Sequence, residues 1–210
     1  TEVRALLAPA ARRGRRSAAS GDLRALCQQS GWPGRDEALR VKDDIFPKPT
    51  ALVWLWLSII VVAADQLTKW FVVNRFELYE VLPLGSMLEL TRLHNTGAAF
   101  SLLAQAGGWQ RWFFVGLAGT ISVAIIWWLY TLPARGNPWL SIGLAMILGG
   151  AIGNGIDRLA QGHVVDFLHF HWQQWYYPAF NVADIAITSG AIMLVIDALM
   201  HTRRTKAPSG

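Results

Sequence analysis

PWLSIGLAMILGGAIGNGI, residues 138–156, decides the fold. These 19 residues carry no charged side chain. At about 1.5 Å per residue a helix of that length crosses the roughly 30 Å hydrocarbon layer of a bilayer. Gly149 and Gly153 form a GxxxG, a spacing that lets a neighbouring helix approach closely. The span runs straight into NGIDR (154–158), where the helix is expected to end. Asn154, Asp157 and Arg158 fall at i, i+3 and i+4 and share one face. Asp157 and Arg158 read most simply as charges marking the water interface, whereas Asn154 lies a turn deeper.

Three more segments of similar character flank it: ALVWLWLSIIVVAADQLTKWFVV (51–73), WFFVGLAGTISVAIIWWLYTL (112–132) and VADIAITSGAIMLVIDALM (182–200). The whole chain agrees. Of 210 residues, 53% are hydrophobic and only 16% charged, against about a quarter in a soluble domain. Eleven tryptophans fit a protein with two membrane interfaces. The net charge of +5 sits mostly in the two tails, a pattern that topology explains better than nucleic-acid binding. The single Cys27 excludes an internal disulfide framework.

Lysines and arginines set the orientation. Arg12, Arg13, Arg15, Arg16, Lys42 and Lys48 precede the first span, Arg135 lies in the turn after the second, and Arg203, Arg204 and Lys206 follow the fourth. Both termini are therefore expected in the cytoplasm, with 74–111 and 157–181 outside. Residues 1–48 are basic, have no apolar core of a secretory signal, and are read as an arm that is disordered or not native to the chain. MLELTRLHN (87–95) and VVDFLHFHW (164–172) alternate in polarity, which predicts two strands able to pair on the outer side.

Charge inside such spans costs at least about 2.5–3.5 kcal/mol and needs a reason. Asp65 lies towards the outer end of the first span with Lys69 one turn on, either an internal ion pair or a support for a site. Asp184 falls in the first turn of the fourth span, where the helix dipole favours an acid and Asn181 is a plausible N-cap. Asp166 sits in an apolar strand, VVDF, where a structural acid is harder to justify. Asp197 lies near the cytoplasmic end and reads as an interfacial charge. The topology thus gathers Asp65, Asp157, Asp166 and Asp184 at the outer face with Asn95, Asn154 and Asn181. Two carboxyl groups held together share a proton, so one can take a proton from water while the other gives one.

DQLTK (65–69), HNTGAAFS (94–101), GGAIGNGIDR (149–158), GHVVDF (162–167) and FNVAD (180–184), in this order between four spans, resemble the lipoprotein signal peptidases, or signal peptidase II. The resemblance covers about residues 50–200. It implies an integral membrane protein, mainly α, with four transmembrane helices and a small extracytoplasmic β-sheet and loop region. Residues 49–202 would be the membrane peptidase domain and 203–210 a basic cytoplasmic tail. The implied activity is that of an aspartic endopeptidase of the bacterial cytoplasmic (inner) membrane. It removes the signal peptide from diacylglyceryl-modified prolipoproteins, cutting just before the lipidated Cys, from a site near the outer face. Asp166 and Asp184 would be catalytic. Asn95, Asn154, Arg158 and Asn181 would bind substrate backbone or position the aspartates. Asp65 and Lys69 would hold the first span's polar face, and Asp157 would brace the site. The expected partners are the lipidated substrate and the bilayer, with no metal, cofactor, nucleic acid or obligate protein partner.

Other chemistries fit less well. His169 and His171 form an HxH pair, but there is no HExxH helix, and alternate strand positions suit an interface more than zinc. A serine peptidase built on Ser101 or Ser189 lacks a well-placed histidine in a span. A proton or solute carrier would need acids along a path to both faces.

Overall fold

The structure, a computed structural model, describes residues 49–97 and 107–206, with backbone only for 201–206. The N-terminal arm, and the AAFS part of the HNTGAAFS motif, lie outside the described residues. A 3-10 turn, Ala51–Trp54, leads into α1, Leu55–Arg75. Three further helices follow: α2, Trp109–Thr131; α3, Pro138–Gln161; and α4, Val182–Lys206. All four are long and apolar enough to span a bilayer. Their outward faces carry exposed Ile59, Trp70, Val123, Trp127 and Leu199, side chains suited to lipid.

Helix α3 is the central post, packed against each of the other three. Its glycines make this contact close. A Cβ on Gly149 would lie 2.7 Å from Val61 Cβ, and one on Gly153 would lie 2.6 Å from Asp65 Oδ2. Towards α4, a Cβ on Gly143 would lie 2.9 Å from the Gly190 carbonyl. The expected GxxxG contact is thus made, against α1. Near the start of α1, Ala51, Ile125, Leu129, Leu144 and Leu148 form one buried cluster.

Helix α3 runs past the expected end. Asp157 and Arg158 lie inside its last two turns, and Gly162, at φ +80°, stops it in the left-handed conformation. The interfacial reading of Asp157 is therefore wrong: its side chain is buried. Asp197 is buried as well, accepting 2.8 Å from Asn137 Nδ2, the side chain whose Oδ1 caps the start of α3. Its role is thus more than interfacial.

The two connections at the far end of the bundle make a four-stranded antiparallel sheet in the order β1 (Val81–Pro83), β2 (Leu88–Asn95), β3 (Val164–Trp172), β4 (Trp175–Tyr176). The two alternating segments are β2 and β3, as expected; the two short strands were not foreseen. The β2–β3 register shifts between Leu90 and Leu93, after which Leu93 faces Asp166 and Asn95 faces Val164. Val165 and Phe167 point back onto Val72 of α1 and fix the sheet to the bundle. After β4 the chain returns to β3, where Leu168 and Phe180 exchange backbone hydrogen bonds of 2.9 Å each way. That bridge delivers Asn181 and the first turn of α4 beside Asp166.

If the close approach of α1 and α3 depends on glycine, Gly153→Leu should push the helices apart. The expected loss is about 1–3 kcal/mol, read as a lower midpoint of thermal unfolding in detergent; an unchanged midpoint would contradict the packing.

Candidate active site

The polar side chains of α1 and α3 meet in a buried network. Lys69, 3% exposed, places its ammonium 2.8 Å from Asp65 Oδ2, 2.8 Å from Asp157 Oδ2 and 3.0 Å from Asn154 Oδ1. Asp65, fully buried, also accepts at Oδ1 from the Ala183 backbone N–H at 2.9 Å. It thereby satisfies a first-turn donor of α4 that has no partner within its own helix. Asp157 accepts from the Val165 N–H at 3.2 Å, linking the pair to β3. The ion pair expected of Asp65 and Lys69 is made, and Asp65 also ties the start of α4 to α1. Gln66 was missed from sequence. Its amide donates to Asp157 Oδ1 at 2.9 Å and to the Gly153 carbonyl at 3.2 Å. One position from Asp65, it points about 100° away around the helix, so a same-face argument passes over it.

From this network the asparagines lead to the two remaining acids. Asn154 Nδ2 donates to Asp184 Oδ1 at 2.8 Å. Asn181 touches both acids: its Nδ2 donates to Asp166 Oδ1 at 2.7 Å, and its backbone N–H to Asp184 Oδ2 at 3.1 Å. Asn181 Oδ1 in turn accepts from the Asp184 N–H at 3.0 Å. Cap and first-turn acid thus bond each other reciprocally, in the manner of a capping box. Asn95, at the end of β2, donates from Nδ2 to Asp166 Oδ2 at 2.9 Å and fixes its own Oδ1 on the Gly97 N–H at 3.0 Å. Asp166 therefore accepts at both oxygens from asparagine amides. Burial first, then the charge of Asp184, pushes its carboxyl up to about 7, against the opposing hydrogen bonds of Asn95 and Asn181.

Asp166 and Asp184 line one cavity of about 800 Å³, open on one side. Arg158 lies on its wall with its guanidinium over the Phe114 ring, 4.7 Å from the centroid. It donates 2.8 Å to the Gly97 carbonyl rather than to either carboxylate, so it holds the turn after Asn95 and adds positive charge nearby. Phe114 of α2 and Ile187 of α4 give it apolar lining, and Thr188, His169, Tyr176 and Tyr177 line it as well. These lining residues were not singled out from sequence, because nothing in the sequence says which faces of α2 and α4 look at each other across α3. His169 and His171 both face Glu89 on β2, at 3.6 and 3.4 Å, so the HxH spacing serves strand pairing. Ser189 does not line the cavity, and Ser101 lies outside the described residues.

Spanning helices around a cavity with two hydrogen-bonded carboxyl groups at one end define a class, the membrane-embedded aspartic peptidases. Residues 57–200 match the family model for signal peptidase (SPase) II. The lipoprotein signal peptidase of Pseudomonas syringae pv. tomato is 50% identical over 148 residues, covering 70% of this chain and 85% of that one. That of Pseudomonas aeruginosa is 45% identical over 161 residues, covering 76% and 95%. A bacterial membrane enzyme solved by the in meso method at 2.3 Å superposes with a TM-score of 0.66 at 26% identity, over 78% of this chain and 97% of that one. The chain belongs to the signal peptidase II family.

Removing the ammonium while leaving its two acids buried should be severe. Lys69→Met is expected to lose about 3–5 kcal/mol and to lower folded yield; a variant as stable as wild type would show that the network does not hold the helices.

Proposed function

We propose that Asp166 and Asp184 are the catalytic pair of this peptidase, and that it frees the signal peptide from diacylglyceryl-modified prolipoproteins just before the lipidated cysteine. The observation that carries the reading is Asn181, hydrogen-bonded to both carboxyl groups inside one cavity. One residue at a helix start thus holds both acids, Asp166 by its side-chain amide and Asp184 by its backbone N–H.

Chemistry follows from the asymmetry of the two acids. Asp166 is the more enclosed, and with a carboxyl near 7 it holds a proton up to neutral pH. Asp184 receives two N–H donors at the positive end of α4, an arrangement suited to an anion. A water between them loses a proton to Asp184 as its oxygen adds to the scissile carbonyl carbon. Asp166 gives its proton to the carbonyl oxygen, leaving a neutral tetrahedral diol. Collapse of the diol breaks the C–N bond, returns a hydroxyl proton to Asp166 and passes the Asp184 proton to the departing cysteine nitrogen. Both carboxyl groups end as they began, and no metal is needed to balance the step.

Placement suits the substrate. With the basic flanks in the cytoplasm, the cavity opens at the outer boundary of the bacterial cytoplasmic membrane, where a lipid-tethered peptide bond is held. Helices α2 and α4 both pack on α3, and Phe114 and Ile187, one from each of these spanning helices, give the cavity apolar lining. The signal-peptide helix and the diacylglyceryl chains can therefore reach the acids without leaving lipid.

In a gel-shift assay with a diacylglyceryl-modified prolipoprotein, Asp166→Asn and Asp184→Asn should each lose cleavage by at least about 10³-fold while remaining folded; robust turnover by either would remove that residue from the chemistry. The pH profile gives a second check. Asp166 acts protonated and its pKa is raised to about 7, so kcat/KM should fall as pH rises through about 7 and Asp166 loses its proton. A profile flat to pH 9 would contradict the assignment of Asp166 as the acid.

A further inference from the structure

Asn95 holds Asp166 from the last residue of β2, and what holds that strand end is unusual. Beyond the register shift only Leu93, His94 and Asn95 pair with β3. A three-residue strand end is weakly fixed by its ladder alone. On it, His94 stacks on His163, the residue after the glycine that ends α3, with ring centroids 3.8 Å apart and planes 25° apart. The stack ties the tip of β2 to the start of β3, and His94 itself lines the cavity beside Asn95. Nε2 of each ring is buried with no hydrogen-bond partner. In the imidazolium form both ring nitrogens are donors, so a charged ring here would bury an N–H without an acceptor.

We propose that His94 and His163 are a positioning pair for the active site: stacked and neutral, they fix the end of β2 so that Asn95 holds Asp166, and protonation releases that end. This rests on the catalytic role proposed for Asp166.

The surroundings point the same way. Arg92 on β2 lies close enough to act on both rings, and Arg111 of α2 packs its guanidinium against Gly162, next to His163. Among the described residues Asp157 of α3 is the acid that acts on the pair, through His163, and it is already engaged by Lys69 and the Val165 N–H. Burial lowers both imidazoles from the ordinary histidine value. The neighbouring His163 and Arg92 add to this at His94, and Arg92 adds to it at His163, where a hydrogen bond donated by the ring to the Gln161 backbone and the charge of Asp157 work against it. The pair is thus neutral at pH 7, and acid unlocks it.

The test is kcat and KM against pH for the full chain in lipid, with a diacylglyceryl-modified prolipoprotein as substrate. Wild type should show an acid limb in kcat at a pH below the free-histidine value of about 6.5. His163→Ala should lower kcat about tenfold at pH 7 with little change in KM, and His163→Phe, which restores a flat ring, should recover most of that loss. In His163→Phe and His94→Phe the acid limb should move to lower pH, because a titrating ring is gone. Imidazole C–H resonances in isotope-labelled wild type should titrate below the ordinary range. An acid limb unmoved in both Phe variants, or both rings titrating as free histidines, overturns the proposal even if His163→Ala fails to fold. No cleavage by wild type at any pH would instead overturn the catalytic reading beneath it, and the pair's role with it.

Discussion

A single buried ammonium organises this protein. Lys69 lies within a span, nearly inaccessible, where an unpaired charge would be prohibitive. Asp65 binds it from one turn away on α1, and Asp157 and Asn154 bind it from α3. The two carboxylates leave one formal negative charge, and three neutral N–H groups offset it: the Ala183 and Val165 backbones and the Gln66 amide. Each of those donors belongs to a different element. The demand that a charge in lipid be fully satisfied is therefore met only when α1, α3, β3 and the start of α4 all converge. Gly153 completes the constraint, since any side chain there would occupy the space of the Asp65 carboxylate.

The proposed catalytic acids hang from this network by asparagines. Asn154 passes one oxygen to Lys69 and its amide nitrogen to Asp184. Asn181 spans the remaining distance to Asp166 while also capping α4. An asparagine suits the task because it carries donor and acceptor on one rigid plane and adds no charge. A lysine or arginine in the same place would pair with the carboxylates and hold both ionised, and a dyad must keep one proton. The positive charge of Arg158 is instead spent on the Gly97 carbonyl and the face of Phe114, near the acids but not bonded to them.

Much of this was legible in the sequence, for reasons that also mark the limits. Uncharged runs of helix-spanning length identify α2 and α3 with no reference to any partner. The period of two in LELTRLHN and VVDFLHFHW marks β2 and β3, and Asn181 three residues before Asp184 marks the capped start of α4. Helical spacing puts Asn154, Asp157 and Arg158 on one face, but it cannot say that α1 rather than water lies opposite. From its own residues Asp157 thus read as an interfacial charge, and only the family resemblance gave it a pairing role; Asp197 was taken for an interfacial charge too, although both are buried against specific partners. The end of α3 was misjudged because charge was read as the stop signal, when a charged residue can stay helical and Gly162 is where the backbone turns. Gln66 and the His94–His163 stack were invisible for a related reason. Each contact joins residues whose sequence separation carries no period, and only the meeting of α1 with α3, and of β2 with β3, creates it.

The proposed site has to admit water and lipid together. Hydrolysis needs a water between two acids, yet the substrate's lipid anchor cannot leave the bilayer without losing about 0.8 kcal/mol per exposed methylene. A site deep in the bundle would exclude water, and one on a soluble domain would exclude the anchor. Here Asp166, Asp184, Asn95 and Asn154 share one cavity with apolar Phe114 of α2 and Ile187 of α4 and with His169 of β3 and Tyr176 of β4. Peptide bonds at other depths in a membrane segment would miss the acids, and those in soluble chains would have nothing to hold them there. Selectivity for a lipidated cysteine then needs little recognition of sequence. On the proposed reading much of it follows from depth, and the Lys69 network ties the proposed acids to the spanning helices.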